Sequence, residues 1–468
     1  MRHRTRSHAM WRVGIGAFAW IGLLAGSAFG QADFRPRFRA EMPFAVAVGE
    51  DAGRQAMALA DVNGDQRPDL ISIAPDDDAV AVQLNDGEGG FGAPALVDVE
   101  TVATSVAVAD VASPFGSAEG GAPDGIADLL VGSDLGELII LPGAGDGTFD
   151  AEDRVLYEDL DTIEILGLAG LEADGNPGLD LALLDVDGVY LLCNDAGTVA
   201  PCGEEEPLEV GIDPIEILAG DFNGDARADL VVLDREDQLL FPFYGADGGG
   251  FTAATAVPVR GEANDGFAVD MAVVRADDDA IDDVLVANYD QNFQFLAVTL
   301  LGDSRNRFRG LSFVIDFEAS ALAAGDFDAD ELLDVIVGYD DGGLTVNIGE
   351  GQGNLADPFT PVGSNTVGAV ALLAAADLNG DEVVDLLVLD RAGEHARALI
   401  NATGPFCGGD CNADGEITID ELMRAVNIAL GLVDPRECIA VDLDSDGVVE
   451  IHELIGAVDL ALDGCPVG

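Results

Sequence analysis

The chain contains no lysine. Its 21 cationic side chains are all arginine and face 88 carboxylates, giving a formal net charge of −67. A surface of that sign repels phosphate backbones and anionic headgroups, so nucleic acid and acidic membranes are excluded as partner classes. Histidine is almost as scarce. Beyond the first 30 residues only His395 and His452 remain, which leaves no histidine-centred triad and no zinc hydrolase site. Both tryptophans, Trp11 and Trp20, also fall within those 30 residues, so the rest of the chain lacks the indole platform on which sugars commonly stack. Long apolar runs are limited to one, residues 13–29. It follows Arg2, Arg4, Arg6 and Arg12 and ends in small residues around Ala28 and Gly30, the pattern of a cleaved export signal over residues 1–30. No cysteine stands at the cleavage point. Neither a membrane span nor a lipid anchor is therefore expected after cleavage, with a retained N-terminal anchor as the alternative. The expected location is secreted or extracellular, cell surface and periplasm included.

What the chain has in abundance is an acidic motif at a near-constant interval. Three copies read Asp61-Val62-Asn63-Gly64-Asp65 with Asp69, Asp221-Phe222-Asn223-Gly224-Asp225 with Asp229, and Asp377-Leu378-Asn379-Gly380-Asp381 with Asp385. A fourth reads Asp326-Phe327-Asp328-Ala329-Asp330 with Asp334. Oxygen-bearing side chains recur at positions 1, 3, 5 and 9, and an apolar run follows each. Hard divalent cations take six to eight oxygens, and a tight loop supplies them from alternate residues. Groups this close would repel one another without a cation between them, so the motif predicts bound Ca²⁺.

Taking the ninth-position residue as a marker adds Asp128, Asp180 and Asp283 to Asp69, Asp229, Asp334 and Asp385. The mean spacing is about 53 residues, the mark of a repeat architecture. Three copies deviate. In the second, Asp110 is separated from Asp124 and Asp128 by a Ser/Gly/Pro-rich insertion. The third offers Glu172, Asp174, Asn176 and Asp180 as ligands. The fifth places Arg275 at position 1 before Asp277, Asp279 and Asp283, where a fixed cation replaces or excludes the metal. Turn formation alone explains an isolated Asp/Asn/Gly cluster but not seven in phase. Each unit reads as four short strands; in the fourth these are residues 215–219, 229–233, 239–244 and 251–259. Four-stranded sheets repeated radially make a β-propeller, so the fold class expected is an all-β seven-bladed propeller over residues 33–405, with a small all-α calcium-binding domain after it.

The loop motif, the unit length and turns such as Gly89-Gly90-Phe91-Gly92-Ala93-Pro94 resemble the FG-GAP/VCBS repeats, which form the seven-bladed calcium-binding propeller of integrin α chains and of many secreted bacterial proteins. The seventh unit stops at Asn401 without its last strand, whereas Phe38-Arg39-Ala40-Glu41-Met42-Pro43-Phe44 looks like the missing strand. Residues 36–48 are therefore expected to complete the seventh blade and latch the ring.

Residues 406–468 differ in character. Asp410, Asn412, Asp414 and Glu421, and again Asp442, Asp444, Asp446 and Glu453, stand at positions 1, 3, 5 and 12 of two loops with glycine at position 6. That is EF-hand ligand spacing. Each loop runs into an apolar segment of helical period, with Leu422, Val426, Leu454 and Val458 expected inside and Ile428, Leu432 or Ile451 outside. Two loop–helix units without an entering helix resemble a dockerin doublet. Dockerins carry small hydroxyl residues at loop positions 10 and 11, where this chain has Ile419, Asp420, Ile451 and His452.

Six cysteines suit an oxidising compartment. Cys193 and Cys202 suggest a local bridge. The pairing of Cys407, Cys411, Cys438 and Cys465 is left open by the sequence, with zinc ligation as the alternative. The functional expectation is a non-catalytic module that binds an extracellular protein or glycan, a cohesin-like receptor among the candidates. The competing reading is a polysaccharide-degrading enzyme, since paired carboxylates are plentiful.

Overall fold

The computed structural model describes most of residues 36–463. Residues 1–35, 112–124, 158–163, 172–178, 260–265, 357–368, 402–408, 412–416, 434–437, 442–448 and 464–468, with several short turns, lie outside the description. The expected export signal therefore falls wholly outside it.

The strands form a seven-bladed β-propeller. Blade 4 shows the plan: Pro214–Gly220, Asp229–Asp234, Leu239–Gly245 and Phe251–Ala253 pair in sequence order, each antiparallel to the next. The second strand of a blade lies deepest. Asp69–Ala74, Asp128–Ser133, Asp180–Asp185, Asp229–Asp234, Asp334–Tyr339 and Asp385–Asp390 are buried at every residue. A strand covered on both faces reads as a continuous apolar run rather than an alternating one, which explains runs such as Leu-Val-Val after Asp229 and Leu-Leu-Val after Asp385. The cover comes from neighbouring blades: Leu218, Val231, Leu233 and Leu240 of blade 4 share one core with Met271, Val284, Val286 and Leu300 of blade 5.

Blade 7 is completed from the other end of the chain. Val370–Ala376, Asp385–Asp390 and His395–Asn401 are joined by Phe38–Ala40, whose register sets Phe38 opposite Asn401 and Ala40 opposite Leu399. Phe44–Ala45 pairs further along the same strand. The latch also grips both neighbours. Phe38 is buried and meets Phe327 of blade 6 edge to face at 6.1 Å, and Phe44 lies 5.1 Å from Phe91 of blade 1.

Two helices follow, α1 (Ile419–Ala429) and α2 (Ile451–Asp463). Thr418 caps α1: its hydroxyl accepts from the Glu421 N–H, and the Glu421 carboxylate returns to the Thr418 N–H at 2.7 Å, a reciprocal capping box. Leu454 packs inward as expected, but the inward face differs from expectation at Val426, Ile428 and Val458. Ala425 and Ile428 are buried in one cluster with Cys438, Val441 and Val449, and Ala457 is buried as well, whereas Val426 and Val458 are exposed. Each helix carries two apolar stripes, and the one through the small alanines allows close approach. Disulfides join Cys193 to Cys202 and Cys411 to Cys438; Cys407 and Cys465 lie outside the described residues. Among the described residues no helix is long and apolar enough to cross a membrane.

Candidate metal centre

Each acidic loop joins the first strand of a blade to the second, and the marker aspartate opens that second strand. Its carboxylate is buried and double-ended. In blade 4, Asp229 Oδ2 accepts the Phe222 N–H at 3.0 Å and Oδ1 accepts the Gly245 N–H at 2.8 Å. Asp69 does the same with Val62 and Asn85, Asp128 with Val111 and Gly143, Asp283 with Ala276 and Gly302, Asp334 with Phe327 and Gly349, and Asp385 with Leu378 and Asn401. Asp180 takes the Asn194 N–H. The marker therefore staples the loop to the end of the third strand in blades 1, 2, 4, 5, 6 and 7, including blades 2 and 5, which depart from the ligand pattern; the blade 3 loop lies outside the described residues. Burial pushes Asp229, Asp283, Asp334 and Asp385 up to about 7 against the pull of these donors.

The loops of blades 1, 4 and 7 wrap around their first residue. Asp61 Oδ1 accepts the Gly64 N–H at 2.7 Å, and Asp221 and Asp377 make the same bond to Gly224 and Gly380. These glycines sit at positive φ (79°, 73° and 78°), a conformation that costs other residues more. At the fifth position Asp65 pairs with Arg67 at 3.0 Å, Asp225 pairs with Arg227, and Asp381 accepts the Asn379 amide at 3.0 Å.

Blade 6 is arranged differently. Asp326, Asp328 and Asp334 bring one carboxylate oxygen each to within 4.8 Å of one another, a set of three that could hold a metal ion. Asp330 follows, with its N–H on Asp326 at 3.0 Å. Asp328 is 8% exposed, and its Oδ1 is buried without a hydrogen-bond partner. Burial, then the charges of Asp334, Asp330 and Asp326, push this carboxyl up to about 7. Leaving a buried acceptor unmatched costs about 1–3 kcal/mol, and like charges add to that. A cation relieves both.

Residues 326–388 match the family model described as an FG-GAP-like repeat. The chain is thus a seven-bladed propeller containing an FG-GAP-like repeat, and that repeat includes the Asp326–Asp328–Asp334 cluster. No curated protein matches the sequence significantly. Among solved structures, BBS1N in complex with ARL6DN is 15% identical, with a TM-score of 0.50 over 78% of this chain and 97% of that one. An Agrocybe aegerita lectin, whose structure shows recognition of non-reducing terminal N-acetylglucosamine, aligns at 14% identity and TM-score 0.44, over 72% of this chain and 85% of the lectin. The Pseudomonas aeruginosa periplasmic gluconolactonase PpgL aligns at 14% and 0.46, over 70% and 98%. At these identities the likeness is one of fold.

The remaining candidate ligands divide by position. Glu172, Asp174 and Asn176 lie outside the described residues, as do Asp124, Asp410, Asn412, Asp414, Asp442, Asp444 and Asp446. Asp110 accepts the Gly125 N–H at 2.9 Å. Glu421 is buried and also accepts the Cys411 N–H at 2.8 Å. Glu453 lies in α2. Sequence reasoning missed Asn85 and Asn401, whose amides reach the second loop residue of the preceding blade, at the Leu378 and Phe327 carbonyls, both at 2.8 Å. Each stands 16 residues after its marker, the offset that would have revealed them.

Proposed function

We propose that this chain is an exported, calcium-clamped propeller that binds an extracellular protein or glycan without catalysis, and that its two C-terminal helices form a connector. The observation that carries the calcium reading is the unmatched Asp328 oxygen inside the Asp326–Asp334 cluster. The donors are hard oxygens, which suit calcium rather than a thiophilic metal. Asp61, Asn63, Asp65 and Asp69, with the equivalent residues of blades 3, 4 and 7, are the further candidate sites, and the EF-hand spacing of residues 410–421 and 442–453 supplies two more. Bound calcium provides the positive charge; the chain's own N–H donors orient the carboxylates towards it. The two disulfides support an oxidising compartment.

The connector reading rests on a repeated surface. Ile419, Met423, Val426 and Leu430 on and just after α1, and Ile451, Ile455, Val458 and Leu462 on α2, occupy matching positions of the two halves and are all exposed. Met423 is 59% and Ile455 56% exposed. A second copy of so acidic a chain is repelled, so the matching surface is an apolar strip with a basic rim on another protein.

Melting the full chain in calcium and in chelator tests the first part. A large fall of the transition on chelation is expected; equal transitions would remove calcium from the account. Release of reducing ends from polysaccharides by the purified chain would overturn the non-catalytic reading. The connector predicts extracellular partner capture that Met423→Glu with Ile455→Glu abolishes.

A further inference from the structure

Blade 5 departs from the other acidic loops at one residue. Where blades 1, 4, 6 and 7 open on aspartate, blade 5 opens on Arg275. The Arg275 Nε donates to Asp282 Oδ1 at 3.1 Å, and Asp282 is 4% exposed. The second oxygen of Asp282 accepts the Asp221 N–H at 2.9 Å, and the Asp282 N–H donates to the Asp221 carbonyl at 2.8 Å. Asp221 is the first residue of the blade-4 loop. The two backbones come close because residue 302 has no side chain: a Cβ on Gly302 would lie 2.6 Å from the Phe222 carbonyl oxygen and 2.8 Å from that of Asp282.

We infer that Arg275 is the resident cation of blade 5: it takes the place of a metal ion there and, through Asp282, holds the first ligand of the blade-4 loop in position. The inference rests on the calcium reading of the other blades. A guanidinium stays charged at any physiological pH, so it stays paired with Asp282 and within electrostatic reach of Asp279 whatever the calcium concentration. A divalent ion entering beside it would meet a fixed like charge. Blade 5 is therefore calcium-independent by construction, and it lends that independence to one end of the blade-4 site. The Arg275–Asp282 pair acts on blade 4 as a positioning pair and does not itself touch the ion.

Hydrogen exchange on the full-length chain, in calcium and in chelator below the melting temperature, tests this. Residues 326–334 should lose protection at least about tenfold on chelation, while 275–283 stay unchanged. If both segments respond alike, Arg275 does not replace the ion and the inference fails. If neither responds, the calcium reading itself fails. In Arg275→Gln, residues 221–229 should need about tenfold more calcium for protection, the usual scale for losing a partner behind a ligand, with the midpoint of 377–385 unmoved. An unshifted midpoint at 221–229 would overturn the positioning role. Arg275→Asp combined with Asp282→Asn, which keeps an acceptor for the Asp221 N–H, should bind one more calcium per chain than wild type. An unchanged count in a folded variant would show that Arg275 is not what excludes the ion.

Discussion

Replacing Asp283 by alanine separates the two duties of the marker aspartate, because blade 5 offers the staple with Arg275 in place of the first acidic ligand. The substitution strands two N–H groups, those of Ala276 and Gly302, now held at 2.8 Å each by a carboxylate that is 1% exposed. An unmatched buried donor costs about 1–3 kcal/mol, so the pair predicts a loss of about 2–6 kcal/mol. Asparagine retains one acceptor and should cost about half as much. The cost must also depend on pH. Burial raises the folded-state value from 3.8 to about 7, so the aspartate's own contribution is fully present below the unfolded value and declines as pH rises through 7. The penalty of Asp283→Ala is therefore greatest near pH 4 and shrinks towards pH 8. Urea unfolding of the full chain, read in calcium and in chelator across that range, checks all three points. A midpoint within error of wild type would refute the staple. A penalty that vanished in chelator would show that Asp283 is a metal ligand instead.

Asp328→Asn should stabilise the calcium-free protein, because it removes one of the charges crowding Asp334, Asp330 and Asp326, and should narrow the melting gap between calcium and chelator. Calcium affinity at the propeller loops should rise between about pH 5.5 and 8, since protons occupy Asp229, Asp334 and Asp385, each pushed up to about 7, below that window; calorimetric titration at several pH values measures it. Phe38→Ala should cost about 3–5 kcal/mol, the range for truncating a buried phenylalanine, and should speed exchange in His395–Asn401 before any other strand.

The blade period, strand order and latch were legible because they are written locally. A loop motif repeats, an apolar run follows it, and a stray Phe-led segment at one end fits a gap at the other. The marker's duty as a staple was not, since a carboxylate that ligates and one that accepts two N–H groups look alike in sequence. Blade 5 separates the two: it lacks the first acidic ligand yet keeps Asp283 in the same hydrogen bonds. The Asn85 and Asn401 stitches join residues of adjacent blades, so only packed blades bring them together, and for Asn85 only the closed ring does. On the C-terminal helices both candidate stripes were visible. Choosing between Val426 and Ile428 for the interior required knowing that Ala425 and Ala457 are the buried small residues.

The latch sets an order of events. The strand that finishes blade 7 is synthesised before the strands of the other six blades, and its partner, His395–Asn401, only after them. Until then Phe38 has no groove to enter, and blade 7 has an unpaired edge open to strands from other molecules. Contacts between residues so distant along a chain form slowly. The nascent protein thus spends its most vulnerable interval as an open arc, and whatever shields Phe38–Ala45 during that time governs how much of it becomes a ring.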